Sequence, residues 1–194
     1  TLDGRVKVPM VLGEYHQGLM FGQRVRGQAD LILQDGIFYL MLVVERPELF
    51  KVDVKDFLGV DLGIVNIATT SDGVQMSGTA VRNIRRRHAK HHKKLQAKNT
   101  KSAKRLLKKR RRKEQRFARD VNHQISKKIV AVAKDTQRGI AMEDLGGIRK
   151  RVPTVRKAQR SELSSWSFYQ FRQFVTYKAL LAGVELQFVD ARNT

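Results

Sequence analysis

Fifty-eight consecutive residues, Val81 to Arg138, contain neither glycine nor proline. Those two residues most often interrupt a helix, and the segment is instead rich in lysine, arginine, glutamine and alanine, which favour helix. Asn99-Thr100 offers the best break within the segment. We therefore predict two long helices joined at that step, which together form a helical hairpin over residues 80–135.

The predicted hairpin also carries most of the charge of the chain. The 194 residues include 39 basic and 18 acidic side chains, for a net charge of +21. Residues 82–119 alone hold 19 basic side chains and one acidic side chain, Glu114. Cations at this density repel one another unless a polyanion neutralises them, so nucleic acid is the first class of partner and an anionic membrane the second. A solvated helical face is the alternative interpretation.

The cations are expected to contact phosphates rather than bases. No aromatic residue lies between Arg82 and Arg116, so base stacking is not available along the hairpin. A loop rich in glycine, arginine and lysine at 144–160 supplies a second set of cations. The predicted nucleic-acid-binding residues are Arg85, Arg86, Arg87, Lys93, Lys94, Lys104, Arg105, Lys108, Lys109, Arg110, Arg111, Arg112, Arg149, Lys150 and Arg151.

Residues 1–56 read as a β-rich region. Asp35-Gly36 lies between two apolar runs, 31–33 and 37–44, which is a strong signal for a β-hairpin. Shorter strands are expected at 5–8 and 19–25. The mixed segment after Pro47 predicts a linker into the second domain.

Residues 57–194 predict an α/β domain into which the basic hairpin is inserted. Strands are expected at 57–64, 67–70, 74–76, 139–143 and 184–189, with the first three antiparallel. In the second arm of the hairpin, large apolar residues recur every three or four positions up to Val132, which predicts a buried face. A further helix is expected at 167–182. This order fits an RNase H-type fold, α/β in its core and α+β over the whole chain.

Two carboxylates on apolar strands are the candidate metal ligands. On the strand 57–64, the two-residue period places Asp61 on one face with Gly59 and Gly63, which leaves room for a metal ion and a phosphate. Glu143 ends a second apolar strand more than 80 residues later. Carboxylates brought together on adjacent strands suit Mg²⁺ or Mn²⁺, whereas ordinary strand-end acids would instead pair with lysine or arginine.

Other titratable residues are weaker candidates for the metal site. Asp144 should point to the face opposite Glu143 and have a structural role, and Asp190 lies beyond the last strand. Three histidines, His88, His91 and His92, have helical spacing, but the surrounding cations would repel a metal.

The strand residues resemble the RuvC motifs of a known family. Gly59-Val60-Asp61-Leu62-Gly63-Ile64, followed by Ala68-Thr69-Thr70-Ser71-Asp72-Gly73, is similar to the first RuvC motif of the TnpB/OrfB proteins of insertion sequences, which are relatives of type V CRISPR effectors. Ile140-Ala141-Met142-Glu143-Asp144-Leu145 resembles the second motif. Residues 1–56 resemble part of the family's OB-like wedge domain, and 57–194 resemble its RuvC nuclease domain.

The resemblance implies an RNA-guided, metal-dependent DNA endonuclease. Asp61 and Glu143 would be the first two metal ligands of its catalytic triad, with guide RNA and target DNA as partners. In the family, a zinc ribbon and a third catalytic aspartate follow the step that resembles Asn193-Thr194. This chain has no cysteine, so Zn²⁺ is expected only in such a missing ribbon. We therefore expect a fragment of a longer protein, with little or no DNA cleavage by residues 1–194 alone.

Two other function classes compete with a nuclease. One is a catalytically inactive RNA- or DNA-binding module with a vestigial RuvC fold, which the missing third acid favours. The other is a basic structural protein of ribosomal type, which would not require two acids on apolar strands. No apolar run approaches the roughly 20 residues that span a bilayer, and we expect a cytoplasmic, nucleoid-associated protein without a small-molecule substrate.

Overall fold

The computed structural model describes residues 4, 7–34, 36–45, 54–144 and 168–190, apart from the side chains of Gln28, Arg111 and Arg112. The chain divides into two compact units, Thr1–Glu48 and Leu49–Thr194. The predicted domain boundary at residue 56 and the wedge-domain assignment stay predictions. The predicted contacts Arg149, Lys150 and Arg151 lie outside the described residues.

The first unit contains the expected β-hairpin. Helix α1 (Glu14–Met20) precedes strands β1 (Val25–Gln34) and β2 (Ile37–Val44), which pair antiparallel with Gln34 opposite Ile37. Gly36 has a φ of +82°, the left-handed conformation that an Asp-Gly turn favours.

The two shorter strands expected in this unit are not supported. A strand over residues 19–25 is wrong, because Leu19 and Met20 end α1 and the chain then turns at Gly22, where φ is +67°. Of the strand expected at 5–8, the described residues Lys7 and Val8 have no regular secondary structure. Apolar composition alone did not distinguish the last turn of a helix from a strand.

The second unit is built on a five-stranded sheet with the order β5-β4-β3-β6-β7. Its strands are β3 (Phe57–Asp61), β4 (Asn66–Thr70), β5 (Gln75–Ser77), β6 (Gly139–Glu143) and β7 (Leu186–Val189). The first three are antiparallel, whereas β6 runs parallel to β3 and β7 parallel to β6. This is the mixed α/β architecture predicted for an RNase H-type core.

The basic segment forms the predicted hairpin of two helices. They are α2 (Thr79–Lys98) and α3 (Lys101–Asp135), and α3 is about 52 Å long at 1.5 Å per residue. Asn99 ends α2 in the left-handed conformation with a φ of +44°, and the Thr100 hydroxyl caps α3 by accepting a hydrogen bond from the Ala103 N–H at 3.2 Å. Two adjacent cap residues therefore explain the break.

The apolar face of the sheet packs against α3 and against α4 (Phe168–Ala182). Leu58 and Met142 on the strands lie in one buried cluster with Ile129 of α3 and Phe171 of α4. The expectation that Val132 is buried is wrong, because 39% of it is exposed and Ala133 is buried instead. A period of 3.6 residues carries the buried face from Ile129 to a position nearer 133 than 132.

Gly139 is required by the ring of Phe57 on the neighbouring strand. A Cβ atom at residue 139 would lie 2.5 Å from Cε1 of Phe57. We expect Gly139→Ala to lower the free energy of unfolding by about 1–3 kcal/mol, the usual cost of overpacking. Urea unfolding measures this, and in the Phe57→Ala background the same substitution should cost almost nothing. An equal cost in both backgrounds would contradict the account.

Candidate metal site and nucleic-acid surface

Parallel pairing of β3 with β6 brings Asp61 and Glu143 to the same edge of the sheet. The register runs from Phe57 opposite Gly139 to Val60 opposite Met142, so the next residues along the two strands are the two acids. Neighbouring strands lie about 4.8 Å apart, and residues in register project to the same face. The structure thus places the two predicted ligands side by side.

The two acids lie on the face opposite the helices. Leu58, Val60, Ile140 and Met142 are buried on the apolar face. Strand alternation then places Gly59, Asp61, Ala141 and Glu143 on the other face. Asp61 is exposed and Glu143 is partly buried. The neighbours of the acids along both strands, Gly59 and Ala141, are small, and the Ser71 hydroxyl accepts a hydrogen bond from the Gly59 N–H at 3.1 Å.

Gly63 does not have the role that the sequence interpretation gave it. Strand β3 ends at Asp61, so Gly63 belongs to the following turn rather than to the carboxylate face. A Cβ atom there would lie 2.9 Å from the carbonyl oxygen of Asn66. Close approach of the backbone explains this glycine, and space for a metal ion does not.

Asp144 has the structural role that was expected of it. Its carboxylate accepts a hydrogen bond from Nη1 of Arg172 at 2.6 Å, and the Arg172 guanidinium lies 3.7 Å from the ring centroid of Phe188. Phe188 is in register with the buried Met142, so this ion pair lies on the helix-covered face. Asp144 and Glu143 therefore point in opposite directions.

The described residues hold no group of three or more aspartate, glutamate or histidine side chains that could bind a metal ion. Asp190 is exposed just after β7, and His88, His91 and His92 lie along α2. Within the described ranges, the candidate metal site therefore consists of two carboxylates. Their role as ligands stays a prediction.

Most predicted phosphate contacts are exposed along the hairpin. The exposed side chains are Arg86, Arg87, Lys93, Lys94, Lys104, Arg105, Lys108 and Lys109, whereas Arg85 and Arg110 are partly buried. Arg85 Nε lies 3.3 Å from a carboxylate oxygen of Glu114. Burial lowers the pKa of the Arg85 guanidinium, and the charge of Glu114 opposes that effect. Arg85 therefore helps to join α2 to α3 in addition to any contact with phosphate.

The structure contains a cleft between α3 and α4 that was not predicted from the sequence. It has a volume of about 440 Å³ and is lined by Arg116, Arg119, Asp120, His123, Phe174 and Tyr177. The four α3 residues have helical spacing and share one face, and this pattern could have indicated one wall of the cleft. Their aromatic partners come from a helix some 50 residues later, and sequence spacing alone does not reveal that packing.

None of the described helices is both long enough and apolar enough to cross a membrane. The predicted cytoplasmic location is not tested by this observation and stays a prediction.

Comparison with known protein families identifies the family of this chain. Residues 41–145, more than half of the sequence, match the OrfB_IS605 family, whose description is probable transposase. The chain belongs to this transposase family. The matched range includes both candidate acids and the whole basic hairpin. It also confirms the relationship that the RuvC-like motifs predicted.

A curated relative supports the same family assignment. The TnpB-like protein of Methanocaldococcus jannaschii is 34% identical over 112 residues, which are 58% of this chain and 40% of that protein. The chain thus spans less than half the length of this relative.

Two solved structures share the fold of this transposase-family chain. A Cas12f1–sgRNA–target DNA complex matches 79% of this chain and 33% of the Cas12f1 chain, with a TM-score of 0.59 and 15% identity. A CRISPR-Cas12f ternary complex matches 89% of this chain and 35% of its own, with a TM-score of 0.56 and 17% identity. At these identities the likeness shows the fold alone.

Proposed function

We propose that this chain is the nucleic-acid-binding core of a transposon-encoded, RNA-guided, metal-dependent DNA endonuclease. The observation that carries the proposal is the placement of Asp61 and Glu143 next to each other at the ends of two parallel central strands. The basic hairpin connects β5 to β6 and therefore lies between Asp61 and Glu143 in the chain. Two adjacent carboxylates in a chain with so many cations fit chemistry on a phosphodiester.

The two carboxylates fit a hard divalent cation. Mg²⁺ and Mn²⁺ prefer oxygen ligands, and Asp61 is exposed while Glu143 is only partly buried. When bound, such an ion supplies activation of water and stabilisation of charge at a phosphodiester. Asp61 and Glu143 would hold it. With two protein ligands the affinity is expected to be low.

The hairpin supplies the cations that a nucleic-acid partner requires. Its exposed lysines and arginines extend along two helices, one of them about 52 Å long, which is enough to follow several phosphates. One solved structure with this fold is a complex of Cas12f1 with an sgRNA and target DNA. By analogy with that complex, we propose guide RNA and target DNA as partners here.

The absence of a third acid near Asp61 and Glu143 within the described residues favours a second candidate function. In that case the chain binds RNA or DNA through the hairpin, and its RuvC-type fold has no cutting activity. The two candidates differ in whether a metal ion is held against the bound nucleic acid.

Iron-directed cleavage distinguishes these two functions. Fe²⁺ can replace Mg²⁺ at oxygen-ligand sites, and with ascorbate and peroxide it generates hydroxyl radicals that cut nucleic acid nearby. We expect an end-labelled RNA–DNA heteroduplex bound to the chain to be cut at a localised set of positions. The cuts should be lost in Asp61→Asn, because the metal is no longer held.

The matched control is Asp135→Asn, which removes an exposed acid at the end of α3. The Asp135→Asn variant should preserve the localised cuts. Excess Mg²⁺ should suppress the cuts both in this variant and in the wild-type chain. Uniform cutting that is insensitive to Asp61→Asn, while the heteroduplex remains bound, would favour the inactive binding module.

A further inference from the structure

The cleft between α3 and α4 combines aromatic rings with cations, whereas the tip of the hairpin has cations without aromatic rings. Phe174 lies edge-on to His123, with ring centroids 5.2 Å apart, and to Tyr177, at 6.0 Å. The Tyr177 hydroxyl lies 3.2 Å from Nδ1 of His123. These contacts hold the rings of two helices in a fixed arrangement at the wall of the cleft. Ordered rings are the surfaces on which nucleic-acid bases stack.

The cleft is also electropositive. Arg116 and Arg119 are exposed at its α3 wall. Behind the rings, Nζ of Lys178 donates to the hydroxyl of Ser126 at 2.6 Å and lies 5.5 Å from the Phe174 ring centroid. Burial, with a smaller contribution from the charge of Lys127, lowers the pKa of Lys178 to about 8. A nearby anion would favour the charged form of this lysine.

One carboxylate, Asp120, also lines the cleft. Its Oδ2 accepts a hydrogen bond from Nε2 of Gln124, one turn further along α3. This bond occupies part of the carboxylate and leaves the two arginines as the stronger groups for an anion.

The cations of the cleft continue those of the hairpin. On α3, Arg105, Lys109, Arg116 and Arg119 follow one another at helical spacings, so they form a stripe from the exposed arm down to the cleft. The first aromatic residues beside that stripe are those of the cleft. A strand whose phosphates follow α3 would therefore meet a base-binding surface only at this point.

The cleft is separate from the candidate metal site. Phe174 belongs to α4, whose Arg172 lies over Phe188 on the helix-covered face of the sheet. Asp61 and Glu143 lie on the other face. A contact in the cleft therefore positions nucleic acid and takes no direct part in phosphate chemistry.

We propose that this cleft binds one unpaired nucleotide, with its base against Phe174 and Tyr177 and its phosphate on Arg116 and Arg119. The proposal rests on the proposed function only in taking nucleic acid as the partner. The cleft volume of about 440 Å³ lies within the roughly 300–1,000 Å³ of ligand pockets. Duplex DNA would not present an unstacked base to these rings, so the site selects single strands.

Fluorescence anisotropy with a thymidine oligonucleotide and with a duplex of equal length tests the proposal. Phe174→Leu keeps an apolar side chain but removes the ring, and it should weaken single-strand binding roughly 5- to 150-fold, because that is the usual contribution of one stacked base. Duplex affinity should change less than about twofold. The matched control is Tyr169→Leu on the same helix, an exposed tyrosine that does not line the cleft, and it should leave both affinities unchanged.

A second variant guards against a folding defect in Phe174→Leu. Arg116→Ala with Arg119→Ala alters two exposed residues and should lower the single-strand salt slope by about 0.7, the contribution of the one phosphate that the two arginines share. Wild-type binding that neither variant weakens, or equal losses for single strand and duplex, would overturn the cleft proposal alone. Failure of the wild-type chain to bind any nucleic acid would overturn the proposed function as well.

Discussion

Replacing Lys104, Arg105 and Lys108 by glutamate is expected to weaken duplex binding roughly 500-fold at about 0.1 M salt. Each phosphate contact contributes about 0.9 to the slope of log K against log salt, and three lost contacts therefore remove about 2.7 from it. At 0.1 M salt this loss of counterion release corresponds to about 2.7 decades of affinity. All three side chains are exposed on the first two turns of α3.

The substitutions are not expected to unfold the hairpin. Glutamate is as good a helix former as lysine or arginine, and the Thr100 cap is unchanged. The Arg85–Glu114 ion pair, which connects the two helices nearer the sheet, is also unchanged. A loss of binding can therefore be assigned to lost phosphate contacts.

A triple variant elsewhere provides the control for net charge. Lys7, Arg24 and Lys55 are exposed outside the hairpin, and their replacement by glutamate changes the net charge by the same amount. We expect this variant to lose only a few-fold in affinity and to keep its salt slope. Equal losses in the two triple variants would show that overall charge, and no particular surface, controls binding.

The elements that local sequence determines were predictable. The hairpin break follows from cap residues at Asn99 and Thr100, and the β-turn follows from a glycine at 36. That β3 and β6 are adjacent was anticipated from the RNase H-type order of elements, whereas their parallel pairing was not predicted. Spacing alone does not bring Asp61 beside Glu143, because the whole hairpin separates them in the chain.

The features that sequence did not reveal depend on contacts between distant residues. Gly139 is explained by the Phe57 ring and Gly63 by the Asn66 carbonyl. The sequence does not distinguish Arg85 from the other cations of the hairpin, whereas in the structure it forms an ion pair with Glu114. The cleft likewise exists only because α4 packs against α3, which places Phe174 beside His123.

The central claim is that Asp61 and Glu143 together hold a divalent cation. The side chains share one face at the end of adjacent strands, so neither should bind the ion well alone. We expect Asp61→Asn and Glu143→Gln each to weaken Mn²⁺ binding at least tenfold, a change of about 1.4 kcal/mol. Amide side chains keep the shape of the site but remove the charge that attracts the ion.

Asp144→Asn is the closest available control, because Asp144 follows Glu143 directly and points to the opposite face, towards Arg172. The decisive measurement is titration of the chain with Mn²⁺, in which electron paramagnetic resonance reports the free ion. We expect one weak Mn²⁺ site from which Mg²⁺ displaces the ion, and this site should be retained in Asp144→Asn and lost in both Asp61→Asn and Glu143→Gln. Binding that is unchanged in these two variants, or that is lost equally in Asp144→Asn, would contradict the central claim.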